Sequence, residues 1–443
     1  MSQSLESLLV PPNELSQLDI PQSLVVDIIL RHMFSYGEVT GNDIQQVIRL
    51  TNRVVDELLG RLQQEHVVEV RGGTTGLGRS GYVFALTEEG KSRARDAFDR
   101  SLYIGSAPVP LDKYSEAILV QTSTRQRIAQ GQIQQALKHL VLPSDFHRLI
   151  GPAINSGSSM FLYGSAGNGK TTIAQAIGKL VSGADPIWLP FSITVAGQII
   201  QVYDPIVHKI VESPDRKAVD NIERQTRTDA RWSLCERPFV MTGGELGMES
   251  LELRFDGTAK FYEAPLQMKA NGGMFLIDDF GRQRMSPIIL LNRWIVPLET
   301  QFDLLRLRTG QSFQVPFREF TVFSTNLNPE TLVDDAFLRR IQVKVEVTAP
   351  DEKMFYQIFL GVCKTLHVPF DKASFVYLLQ EWYGRCGRRL QSVHPRDILR
   401  GVVALCEYEN VPYRLTPELI DEACRAYFVQ SPVGKDGPST PQS

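Results

Sequence analysis

Apolar positions change their spacing several times along the chain, and each change marks an element. From Gln22, SLVVDIILRHMF and then TNRVVDELLGRLQQEH carry apolar residues at helical spacing, the second with Val54, Val55, Leu58, Leu59 and Leu62 on one stripe. Between them TGNDIQQVIRL predicts a short helix capped by Thr40, and Thr51 or Asn52 caps the next one. VVEVRGGTTGLGRSGYVFALTEEGKSRARDAF then reads as strand, glycine-rich turn, strand and helix. Further on, Met160 to Tyr163 is a short apolar strand, followed by helical periodicity from Thr172 to Val181. Met274 to Ile277 is a second apolar strand, and it runs straight into Asp278 and Asp279.

Three helices followed by a two-stranded ribbon predict a winged helix-turn-helix over residues 21–104, behind a loose polar arm over 1–20. Residues 105–134 read as a polar, glutamine-rich linker, helical in its second half, and 135–350 as an α/β core with a parallel sheet. Within the core, LELRFDGTAKFYEAP alternates around Asp256-Gly257 and LPFSITVAGQIIQVYD around Gly197, two hairpin signatures. Such hairpins can project to grip a polypeptide or lie as extra edge strands, and the pattern does not choose. Four amphipathic segments over 351–430, the last headed by Thr416 and Pro417, predict a small all-α lid. The proline-, glycine- and serine-rich end, 431–443, reads as a disordered tail.

Composition narrows the use of these units. The 443 residues are 43% hydrophobic and 22% charged, enough to bury a sizeable core. No apolar run approaches the roughly 18 residues that span a bilayer, and the first residues lack a basic region followed by an apolar one, so a cytoplasmic protein is expected. The five cysteines form no C-x-x-C pair and the seven histidines are dispersed, which argues for reduced thiols and against structural zinc. Residues 21–104 hold ten Arg and Lys against eleven Asp and Glu, and the presumed recognition helix sets Arg53 and Arg61 beside Asp56 and Glu57. Phosphate neutralisation supplies most of nonspecific DNA affinity. This balance supports DNA binding weakly and leaves protein docking open.

The clearest chemistry lies after the Met160–Tyr163 strand. Gly164-Ser165-Ala166-Gly167-Asn168-Gly169-Lys170-Thr171 matches G-x-x-x-x-G-K-[ST], with a strand before it and a helix after it. Glycines let successive backbone N–H groups face phosphate oxygens, and the helix N-terminus adds partial positive charge. Lys170 reaches the β- and γ-phosphates, the Thr171 hydroxyl is suited to Mg²⁺, and Thr172 continues the cradle. A nucleoside triphosphate is therefore expected. Its magnesium needs a carboxylate from the end of a neighbouring parallel strand, a position Asp278 fits, with Asp279 next to it to orient or deprotonate water. The loop and the acid pair must then converge on one metal–triphosphate complex.

With these motifs in order, residues 135 to 430 resemble the AAA+ ATPases, P-loop NTPases with an αβα core. Asn326 in TVFSTNLNP matches the polar sensor, Arg339 or Arg340 in DDAFLRRI the arginine finger, and Arg396 in SVHPRDIL the second sensor at the start of a lid helix. The resemblance implies Mg²⁺-dependent ATP hydrolysis. It also implies a homo-oligomeric ring in which an arginine reaches the neighbour's γ-phosphate, and a remodelled protein client. The region around Asp278 is similar to MoxR-type, magnesium-chelatase and enhancer-binding activator ATPases, and the whole chain resembles bacterial ATPases with chaperone activity. One position departs from the family: Asp279 stands where a glutamate is usual, one methylene shorter, which points to slow turnover.

Overall fold

The computed structural model describes residues 4–73, 81–157, 159–211, 228–332 and 335–428. The N-terminal unit runs α1 (Gln22–Tyr36), β1 (Val39–Thr40), α2 (Gly41–Ile48), α3 (Asn52–Gln64), β2 (Val68–Gly73), β3 (Tyr82–Leu86) and α4 (Glu88–Arg100). Its strands form an antiparallel sheet in the order β1-β3-β2. Thr40 closes a capping box with Asp43, whose carboxylate returns to the Thr40 backbone N–H. Thr51 heads α3, but its hydroxyl donates to the Pro12 carbonyl instead of capping the helix. The glycine-rich turn expected over 74–80 and the tail expected over 431–443 lie outside the described residues.

Two expectations about connections are corrected. Residues 4–20 are not a loose arm: Leu8 and Leu9 are buried against Ile118, and Leu15 and Ile20 enter the core of the N-terminal unit. Asp19 accepts from Arg231 at 2.8 Å, fixing the end of that segment. Residues 105–134 are more than a linker. They supply β4 (Val109–Pro110) and α5 (Leu111–Ser123), the latter burying Tyr114, Ala117 and Ile118, before α6 (Gln130–Leu137) begins.

The core continues through α7 (Phe146–Ser156), β5 (Met160–Tyr163) and α8 (Lys170–Ser182). Next come β6 (Ile187–Pro190), β7 (Ser192–Val195), β8 (Gln198–Gln201), β9 (Trp232–Cys235), β10 (Phe239–Thr242), β11 (Arg254–Asp256) and β12 (Phe261–Glu263). After β13 (Met274–Ile277) and α9 (Pro287–Thr300) follow β14 (Phe302–Arg306), β15 (Ser312–Pro316), β16 (Phe320–Thr325) and β17 (Val343–Glu346). The main sheet, β10-β13-β16-β5-β17, is parallel throughout. Side chains alternate across it: Met274 and Leu276 pack with α8 residues such as Ile177, whereas Phe275 and Ile277 pack with Trp294 of α9. All four are fully buried, so a strand covered on both faces reads as an unbroken apolar run.

A second sheet, β11-β12-β8-β7-β4, contains both expected hairpins. The β7–β8 turn places Ala196 and Gly197 at φ 49° and 76°, the paired positive values of a type I′ hairpin. These hairpins lie as sheet strands beneath the N-terminal unit. Ile199 joins that unit's core, the Tyr103 ring meets Phe261 edge-on, and the Leu102 N–H donates to the Ala259 carbonyl. The β14–β15 hairpin was not anticipated from the sequence.

The lid comprises α10 (Glu352–Thr365), α11 (Lys372–Tyr377), α12 (His394–Tyr408) and α13 (Pro417–Tyr427), with α11 running into a π-helical stretch over Leu378–Gly384. Thr416 caps α13 by accepting from the Leu419 N–H, with Pro417 in the first turn. Among the described residues no helix is long and apolar enough to cross a membrane.

Candidate functional site: a phosphate loop facing an acid pair

Parallel strands end together, so the loops after β5, β13 and β16 meet at one edge of the sheet. The loop after β5 carries Gly164, Gly167 and Gly169 at φ 136°, 76° and 86°. At Gly164 a side chain would also collide, since a Cβ there would sit 2.4 Å from the Val347 carbonyl oxygen. Lys170 begins α8, is buried, and donates to the carbonyls of Gly164 and Ser165 at 2.7 and 2.8 Å. Burial pulls its pKa below the ordinary lysine value, opposed by the nearby charges of Asp279 and Asp278.

The Thr171 hydroxyl donates to Asp278 Oδ2 at 2.8 Å, joining the glycine-rich loop to the end of β13. Asp278 is buried, and its other oxygen, Oδ1, has no hydrogen-bond partner. A carboxylate oxygen left unpaired in a buried site beside a hydroxyl is a donor set that suits a hard divalent cation. The residues present therefore fit magnesium.

Asp279 is exposed and adopts φ 47°, a left-handed conformation uncommon outside glycine. Its backbone is pinned on the far side, where the Phe280 N–H donates to the Ser324 carbonyl at 2.7 Å. From that bend its Oδ1 accepts from Asn326 Nδ2 at 2.9 Å. Local strain of this kind persists where the surroundings over-determine it, as they do between β13 and β16.

Lys170, Thr171, Asp279, Asn326 and Arg396 line one cavity of about 490 Å³, together with Ala166 to Gly169 and Thr172. Arg396, in the first turn of α12, is about half exposed and donates to Asp397 at 2.9 Å. Gly164 and Ser165 touch the site through the carbonyls that hold Lys170. The two other arginines are not in this cavity. Arg339 is exposed, and Arg340 pairs with Glu299 at 3.2 Å.

The apolar end of the cavity has no signature in the sequence. Val141 and Leu142, ahead of α7, and Ile358 and Val362, on α10, line it alongside Ser392 and Val393. None carries a chemical signature, and only the fold brings the segments together. Their apolar side chains suit the flat face of a ring, next to a loop that suits phosphates.

A family model described as a domain of unknown function (DUF8689) matches residues 351–426, which are the helices of the lid. No curated protein matches the chain. Among solved structures it is similar to the RuvB Holliday junction branch migration motor of Thermotoga maritima, at 12% identity and a TM-score of 0.36, over 72% of this chain and 72% of that one. It is also similar to NtrX from Brucella abortus in complex with ATP, at 14% identity and a TM-score of 0.38, over 82% of this chain and 73% of that one.

Proposed function

We propose that the chain is a Mg²⁺-dependent ATPase of the AAA+ type that assembles as a ring and remodels a protein client or complex. The observation that carries this reading is the contact of Thr171 with Asp278 at 2.8 Å, at the foot of the cavity that Asp279 and Asn326 also line. The phosphate loop cradles the triphosphate through its N–H groups, and Lys170 turns its ammonium from the loop carbonyls to the phosphates. Magnesium, when bound, neutralises charge on the phosphate oxygens, with Thr171 and Asp278 as its protein ligands. Asp279 accepts a proton from water or orients it, and Asn326 keeps that carboxylate in place. Arg396 approaches the phosphates from the lid, and Arg339 or Arg340 serves the site of a neighbouring subunit.

We read the N-terminal unit as a winged helix used for protein docking. Arg53 and Arg61 of α3 already pair with Glu14 and Glu57 at 2.9 and 3.0 Å, which weakens their claim on DNA phosphates. The deciding experiment is steady-state phosphate release against protein concentration, for the native chain and for Lys170→Ala, Asp279→Asn and Arg340→Ala. Specific activity that rises with concentration and is lost in all three variants is expected. Activity untouched by Lys170→Ala would overturn the nucleotide assignment, and no phosphate release at high concentration would overturn the ATPase.

A further inference from the structure

We propose that Asn168 couples the occupant of the phosphate loop to the position of the lid, an inference that rests on the nucleotide-binding reading above. Loop and lid are joined by two hydrogen bonds from lid N–H groups, one to a loop carbonyl and one to a loop side chain. The Val393 N–H donates to the Gly167 carbonyl at 2.8 Å, and the Ser392 N–H to Asn168 Oδ1 at 3.3 Å. A Cβ on Gly167 would lie 2.8 Å from both Gln391 Oε1 and Val393 Cγ1, so the two segments approach as closely as a missing side chain allows. Val393 immediately precedes α12, whose first turn carries Arg396 into the same cavity.

The two ends of the Asn168 carboxamide are used unequally. The residue is 4% exposed and lines the cavity; Oδ1 holds the lid, while Nδ2 is buried with no hydrogen-bond partner. A buried donor without an acceptor is unfavourable, and phosphate oxygens entering the cavity are acceptors. One side chain thus has a nitrogen for the ligand and an oxygen for the lid. Alanine offers neither group, and aspartate keeps only the acceptor.

The lid side of this link is braced. His394, the first residue of α12, shares a 2.9 Å hydrogen bond with the Tyr383 hydroxyl, and Tyr383 lies in the π-helical stretch. The Arg388 guanidinium stacks 3.5 Å from the Phe428 ring centroid, and the His394 ring meets that same ring edge-on. Residues 391–394 therefore move with the lid as one body, and a pull on Ser392 is a pull on Arg396.

The test is hydrogen exchange by mass spectrometry on the full chain with and without Mg·ATP, read on the peptide spanning 388–396, alongside titration with a fluorescent ATP analogue. In the native chain ATP is expected to slow exchange of that peptide roughly two- to ten-fold, the span of one hydrogen bond. Asn168→Ala should exchange fast in both conditions, even at analogue concentrations raised to saturate its weakened binding, and Asn168→Asp should keep the ligand-free protection and lose the ATP response. Unchanged exchange over 398–406 checks that the variants fold. Analogue binding together with an undiminished ATP response in Asn168→Ala would overturn the coupling alone. Absence of analogue binding to the native chain would instead overturn the nucleotide reading, and this inference with it.

Discussion

Asp278 accepts the Thr171 hydroxyl at 2.8 Å through Oδ2 and leaves Oδ1 buried and unpaired, although the two residues stand 107 positions apart. Under the proposed function this arrangement divides labour between metal and nucleotide binding. Asp278→Asn keeps the shape and the contact to Thr171 but removes the charge a divalent cation needs. Its affinity for Mg²⁺ in the presence of ATP should fall about 10- to 100-fold, the range found when support of a metal site is lost. Binding of ATP in excess EDTA should change much less. Titration of a fluorescent ATP analogue with and without magnesium measures both, and equal loss in the two conditions would contradict the assignment.

Under the same proposal Asp279 contributes to a different step. It is exposed, and its carboxylate accepts from Asn326 at 2.9 Å, whereas the Thr171 hydroxyl donates to Asp278. Asp279→Asn should therefore leave analogue affinity within a few-fold and lower the rate of phosphate release about 10²- to 10⁴-fold, the usual contribution of a positioned base. Asn326→Ala, which frees the carboxylate without removing it, should lower the rate less. A turnover number unchanged in Asp279→Asn would move the base elsewhere.

What could be read from residue order alone follows from where each interaction closes. The phosphate loop is local: eight consecutive residues, a strand before and a helix after, carry all of its information. Strand β13 was equally legible, because burial on both faces removes polar residues and leaves MFLI ending abruptly in Asp278. The N-terminal segment was not. Leu8 and Leu9 look like isolated apolar residues in a polar run, and they are buried only because α5 lies against them more than 100 residues later. Residues 105–134 failed for the same reason, since Val109–Pro110 is a strand only by pairing with β7. Periodicity reports the face an element hides, not the distant element that hides it.

Arg231 is the residue through which those distant pieces hold. It is fully buried and donates to Asp229, to Asp19 and to the Pro108 carbonyl, and Lys113 approaches Asp229 to 3.6 Å. The two aspartates outweigh burial and hold its pKa above the ordinary arginine value. Arg231→Met leaves Asp229, itself 1% exposed, without its main partner. Breaking a buried pair in this way costs about 3–5 kcal/mol. Urea unfolding should show that loss, and limited proteolysis should cut near residues 10–20 far sooner than in the native chain. A midpoint shift of a few tenths molar or less would show that the cluster contributes little.

His394 gives the lid a pH dependence whose sign can be worked out. Burial, with the Arg388 charge adding to it, lowers its pKa from 6.5 to about 4, and Asp397 opposes the shift only in part. From its own helix Asp397 faces it; from the packed segments the Tyr383 hydroxyl, Arg388 and the Tyr427 ring do so. Between about pH 4 and 6.5 the unfolded chain binds a proton here that the folded chain does not. Unfolding free energy from this group is therefore fully present above about 6.5 and is lost as pH falls through about 4. At one pKa unit per 1.36 kcal/mol the full loss is roughly 3 kcal/mol. Denaturation midpoints of the lid, followed through Trp382 fluorescence from pH 7 to pH 4, should fall in the native chain and fall less in His394→Phe. Since His208 is also buried with a lowered pKa, the difference between the two curves, rather than either slope, carries the assignment. Parallel curves would mean that His394 takes up its proton equally in the folded and unfolded lid, so that burial does not lower its pKa.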